Sequence, residues 1–171
     1  MLESLMNLVK EHAGEAIVNN PAIPNEKNDE AIATASHSIF DTLKNAVAGG
    51  NAGDLVSMFK GGGNGVANSN LGQQVQSGVV DQLMQKFGLD QGQAGNIAGS
   101  LVPNVLQQMV HKTNDPNDSS FDIKGVLGSL TGGQGGLDLQ GLLGKFTGGG
   151  EATGSGDAGG LLGKIKGIFG K

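Results

Sequence analysis

The chain contains no cysteine, no tryptophan, no tyrosine and no arginine, and its 171 residues include only six phenylalanines and four prolines. Each gap closes a class of chemistry. Without cysteine there is no disulfide, no thiolate nucleophile and no cysteine-ligated zinc. Without arginine the bidentate reader of phosphate and guanine is missing. The eleven lysines are scattered among sixteen acids, for a net charge of −5, and form no basic stripe. With neither Trp nor Tyr there is no platform on which bases could stack. No nucleic-acid partner is expected. No apolar run reaches membrane-spanning length, and the N-terminal stretch MLESLMNLVKEHAG places Glu3 where a secretory signal would be basic. The expectation is a soluble, cytoplasmic protein that carries no cofactor.

Glycine is what the chain has in excess, and it is unevenly spread. Residues 1–60 hold four and residues 123–171 hold eighteen. Stretches such as GGEATGSGDAGG, residues 149–160, lack the apolar content to offset the entropy of ordering a backbone. The segment able to bury a sizeable core is therefore 1–131, with 132–171 as a Gly-rich tail.

Within 1–131 the apolar periodicity is helical. Leu2, Leu5, Val9, Ala13, Ala16 and Ile17 share one face of a helix over 2–18, after which Pro21 and Pro24 break the chain. Asn28 reads as the N-cap of a second helix, with Asp29 and Glu30 in its first turn. That helix presents Ile32, Ala35, Ile39, Leu43 and Val47 on one side. After a spacer over 61–70, Val75, Val79, Leu83 and Phe87 mark a third helix stopped by Gly88. Asp90 and Gln93 form a capping box for a fourth, running through about His111, with Pro103 inside it expected to kink or interrupt it. The predicted fold class is all-α, a small helical bundle.

The bundle also repeats itself. Residues 31–47 align without gaps on 94–110, sharing Ala31 with Ala94, Ala35 with Ala98, Leu43 with Leu106 and Val47 with Val110. Upstream, LMNLV at 5–9 parallels LMQKF at 83–87; downstream come the Asp-led segments DLVSMF at 54–59 and DIKGVLGSL at 122–130. The reading is two related helix-pair units, about 1–60 and 71–131, packed into one bundle.

The second of those segments opens a series. DIKGVLGSLTGG at 122, DLQGLLGKFTGG at 138 and DAGGLLGKIKGIFGK at 157 each carry Asp first, Gly at +3 and +6, and apolar residues at +4, +5 and +8. At about 100° per residue the apolar positions fall on one narrow face and the glycines on the other. Asp serves as cap and the terminal glycines as stops. Each interior Gly costs about 1 kcal/mol against Ala, so an isolated copy is unstable in water. One reading is linkers with incidental leucines. The favoured one is short docking helices, at 138–147 and 157–170, that gain order by covering a groove on the bundle or on another subunit. Leu142, Leu143, Phe146, Leu161, Leu162, Ile165, Ile168 and Phe169 are then the contact residues. Gly141, Gly144, Gly160 and Gly163 are the positions at which a neighbouring backbone comes close. The last copy adds Lys164, Lys166 and Lys171 beside its apolar face, the arrangement of a segment lying on an anionic membrane surface. Those lysines could equally answer the acidic bundle or a helix dipole.

Other motifs fall short of chemistry. His12 has Glu11 and Glu15 nearby but no second histidine at helical spacing, and His37 stands among Ser36, Ser38 and Asp41 without a nucleophile elbow. His111 suits the C-terminal end of its helix. NDPNDSSFD at 114–122 spaces Asp115, Asn117 and Ser119 like a calcium loop, yet Val126 and Ser120 stand where the bidentate Glu and the Gly belong. Gly163-Lys164 lacks the flanking residues of a phosphate loop. No catalytic, metal or cofactor residue is expected.

The stretch FGLDQGQAGNIAGSLVPNVLQQMVHKTNDP, residues 87–116, resembles the YidB-like bacterial family, a domain of unknown function. The resemblance rests on the Gly88-Leu89 turn, on Ala94 and Ala98, and on Pro103 followed by Val105 and Leu106; the first half carries Phe40 where that proline would stand. It implies a bacterial helical domain with no established activity. The function expected is non-catalytic, helix-mediated interaction, chiefly self-association through the C-terminal modules. The alternative is a peripheral membrane binder acting through 157–171.

Overall fold

Periodic apolar residues become helices wherever the local punctuation allows. A computed structural model describes residues 1–61, 66–115, 117–118, 121 and 123–131. The six α-helices among them are α1 (Leu2–Ala13), α2 (Asn28–Ala48), α3 (Ala52–Lys60), α4 (Asn70–Phe87), α5 (Gln91–Asn114) and α6 (Ile123–Leu130). No strand occurs among the described residues, and the fold is all-α as the periodicity predicts. The modules over 138–147 and 157–170 lie outside the described residues.

The punctuation explains most of the boundaries. α1 widens into a π-helical turn over Gly14–Val18, closed by the Asn19 amide donating to the Gly14 carbonyl (2.9 Å). The Asn20 side chain then donates to the Ala16 carbonyl (3.1 Å) and accepts from the Ala22 amide (3.0 Å), turning the chain at the predicted break. Ser69 caps α4 by accepting from the Gly72 amide, and Gly88 ends that helix in the left-handed region at φ 66°. Both halves of the Asp90–Gln93 capping box are made.

Several expectations need correcting. Asn28 is not an N-cap. Pro24 starts a 3-10 turn over Asn25–Lys27 that runs straight into α2, so Asn28 is already helical, and its buried Oδ1 has no hydrogen-bond partner. Proline's fixed φ starts the helical path one turn early. Asp54 does not lead α3 but is its third residue, where its charge still faces the positive helix end. Nor is 61–70 merely a spacer: Val66 is buried and Ser69 and Asn70 begin α4. Pro103 does not interrupt α5, which also runs beyond His111 to Asn114. Proline cannot donate to Gly99, four residues back, and its ring presses toward that turn. Glycine there offers no side chain to obstruct it, and the Asn104 side chain bonds the adjacent Ser100 carbonyl (2.9 Å).

The four long helices close into a ring. α2 packs on α1 and α4, and α5 packs on α4 and α1. α3 lies across α2 and α5, while α6 lies on α2. Leu5, Ile39, Phe59, Leu83, Leu101 and Leu127 belong to a single apolar cluster that draws on all six helices. The pairing is reciprocal: exchanging α1–α3 with α4–α6 turns the α1–α5 contact into α4–α2 and the α3–α5 contact into α6–α2.

Where α4 crosses α2, small residues set the separation. A Cβ placed on Gly78 would sit 2.8 Å from Thr42 Oγ1 and 3.3 Å from Ser38 Oγ. A second tight glycine sits at the start of α4, away from that crossing: a Cβ on Gly72 would overlap the carbonyl oxygen of Val66 in the turn that leads into the helix. Ser36, fully buried on α2, satisfies its hydroxyl internally by donating to the Ile32 carbonyl (2.7 Å).

Candidate interaction surface

α6 is the one copy of the Asp-led unit that the described residues include, so it shows what such a segment does. The helix begins at the residue after Asp122, which itself lies outside the described residues, and the predicted cap cannot be located there. Val126, Leu127 and Leu130, at +4, +5 and +8, share one face and are 1%, 1% and 2% exposed. Burying three aliphatic side chains contributes roughly 1.5–3 kcal/mol each before ordering costs. The face rests on α2, and the preceding Phe121 is buried with it.

The other side of α6 departs from expectation. Gly125 is exposed, and a Cβ on Gly128 would meet nothing within 4 Å. No neighbouring backbone approaches Gly128, so close approach does not account for glycine at this position of this copy. The close approaches are instead at Gly72 and Gly78, inside the bundle. For Gly78 the signal is a glycine within the helical pattern of α4 opposite the small pair Ser38 and Thr42, i and i+4 on α2.

The predicted contact positions Gly141, Leu142, Leu143, Gly144, Phe146, Gly160, Leu161, Leu162, Gly163, Ile165, Ile168 and Phe169, with Lys164, Lys166 and Lys171, lie outside the described residues. What the structure supplies is the environment of their counterparts. Leu142, Leu143 and Phe146 hold the register positions of Val126, Leu127 and Leu130, and Leu161, Leu162 and Ile165 hold them again.

The two short helices are fastened differently. Asn114, the last residue of α5, donates from Nδ2 both to the Phe59 carbonyl of α3 (3.0 Å) and to the Val110 carbonyl (2.9 Å). It thus serves one of the orphan carbonyls that every helix C-terminus leaves. At the end of α6 the bonds are local, from the Thr131 amide to the Leu127 carbonyl (2.9 Å) and from Thr131 Oγ1 to the Gly128 carbonyl (3.2 Å).

The connection from α5 to α6 carries the former calcium candidate. Asp115 accepts the Asn117 amide (2.9 Å) in an Asx turn, and Lys112 Nζ pairs with Asp118 Oδ2 at 2.9 Å. The hydrogen bond to Asp118 and its charge raise the Lys112 pKa above the ordinary 10.5. Among the described residues no group of three or more His, Asp or Glu is placed to hold a metal ion.

His37 lines a polar cleft of about 420 Å³ between α2 and α4, together with Asp41, Asp81 and Lys86. Among the described residues no hydrogen bond or ion pair ties His37 to either carboxylate, so the cleft gathers charge without orienting an acid–base pair. His12 is half-buried and His111 exposed, each away from that cleft. No helix among the described residues is long and apolar enough to cross a membrane. No protein-family model, no curated protein and no solved structure matches the chain.

Proposed function

We propose that the protein is a non-catalytic bacterial helical body, resembling the YidB-like family, that acts in the cytoplasm through helix-mediated contacts made by its C-terminal modules, chiefly with copies of itself. The observation that carries this reading is the burial of Val126, Leu127 and Leu130 against α2. The same apolar register recurs at Leu142, Leu143 and Phe146 and at Leu161, Leu162 and Ile165. A short helix with two interior glycines has no stable existence in water, so each recurrence needs a surface to cover it. The repeat of 31–47 in 94–110 supports reading the body itself as two related units.

The test is the mass in solution, by light scattering, of the full chain beside a chain ending at Thr131. A larger assembly is expected for the full chain only. Equal masses at high concentration sink the reading. A second reading keeps a sequence basis in Lys164, Lys166 and Lys171 beside Ile168 and Phe169. On that reading 157–171 lies on an anionic membrane surface. Flotation with anionic vesicles, comparing the full chain with one ending at Gly156, separates the two, and binding lost on truncation would favour the membrane.

A further inference from the structure

The chain carries three segments of one apolar register, and α2 shows a place for the first of them. Gly128 stands against open space, so its lack of a side chain serves no packing need; what it does is lower the helical population of α6, by about five-fold relative to alanine. The bonds at the end of α6 stay within its own last turn, whereas α3, which meets α5 as α6 meets α2, is tied to α5 through Asn114. The next segment is a larger match for the same face. Leu142, Leu143 and Phe146 replace Val126, Leu127 and Leu130, adding a methylene at the first position and an aromatic ring at the last. It is also near. Leu142 lies twelve positions beyond Leu130, a span of up to about 40 Å when extended. A tether of this length holds a segment at an effective concentration in the millimolar range.

We infer that the face of α2 covered by α6 is a shared berth, which residues 138–147 of the same chain occupy when α6 leaves it. The inference rests on the reading of the modules as docking helices and names the surface they recognise. One berth and three segments leave apolar faces over in every chain. Those surplus faces are what a second copy meets.

The experiment removes occupants in turn from the full chain. Leu127→Asp ejects α6; with 138–147 able to take its place, the thermal midpoint falls by no more than about 3 °C. Leu142→Asp with Leu143→Asp leaves the midpoint unchanged, because α6 is seated. The three changes together lower it by about 10 °C, a loss well beyond the sum of the parts. In the Leu127→Asp chain the amides of 139–146 gain protection from hydrogen exchange at least about five-fold, the positive mark of a replacement. If Leu127→Asp alone costs as much as the triple change, or if 139–146 stay unprotected, the shared berth is wrong. A rescue that strengthens with protein concentration overturns it in favour of a second copy as occupant. A triple variant as stable as the parent shows that the berth needs no occupant, and also overturns it. None of these outcomes depends on the solution mass, so self-association and the shared berth fail separately.

Discussion

α3 and α6 are two answers to the same demand, that a short apolar helix be held on a four-helix ring. α3 buries Leu55, Val56, Met58 and Phe59 and has its Phe59 carbonyl bonded by a side chain from another helix. α6 buries three aliphatic residues and places Gly125 and Gly128 on its outer side. The difference teaches where stability is invested. α3 combines a large aromatic with a polar tie that fixes its position, while α6 is seated by its apolar face with helix propensity working against it. An element of the second kind is drawn from the low end of local stability, where exchange and partner binding occur.

The strongest way to break this comparison is by truncating the anchors. Phe59→Ala should cost about 3–5 kcal/mol, as large-to-small changes at fully buried aromatics do. Leu130→Ala should cost less, at most about 1 kcal/mol, because α6 can undock locally instead of leaving a cavity. Denaturant unfolding measures both, and equal losses would show that α6 is as integral as α3. Next in size is the polar tie. Asn114→Ala should cost about 1 kcal/mol and speed amide exchange in α3 while leaving α6 as it was. Loosening of both helices alike would mean that the bond does not act on α3 in particular.

An effect of opposite sign is expected at Gly128. With open space around its Cβ position, Gly128→Ala should stabilise α6 by up to about 1 kcal/mol, seen as slower exchange of its amides. A destabilised variant would restore close approach as the glycine's role. The smallest effect concerns the Lys112–Asp118 pair in the connection to α6. A lysine whose folded pKa is raised contributes stability that is fully present below its unfolded value, near 10.5, and is lost as pH rises through the raised value. The thermal midpoint of the parent should therefore fall slightly more than that of Asp118→Asn above pH 10.5, with the two curves running parallel below it. Parallel curves throughout would show the pair to be idle.

Much of the helical body was legible in one dimension, and for identifiable reasons. Asp90 with Gln93 and the left-handed stop at Gly88 are local devices, so their residues specify them without help from the rest of the chain. Asn28 was misplaced because the proline upstream, not the asparagine, sets where the turn begins. Pro103 was expected to disturb its helix; the glycine four residues before it and the neighbouring asparagine remove the reason for a break. The candidate surface was legible only as a pattern of apolar positions. That α2 is what covers the first copy lies beyond any local rule, because the two elements are about eighty residues apart in the chain.

The sequence by itself determined the class of the fold, most of the positions that face the core and the absence of cysteine, arginine, tryptophan and tyrosine chemistry, since periodicity and composition act residue by residue. Only the tertiary structure decided which glycines matter for packing. Gly72 and Gly78 admit a neighbour where a side chain would collide, whereas Gly128 faces open space. A glycine's role is set by what stands opposite it, and that is a property of the assembled helices.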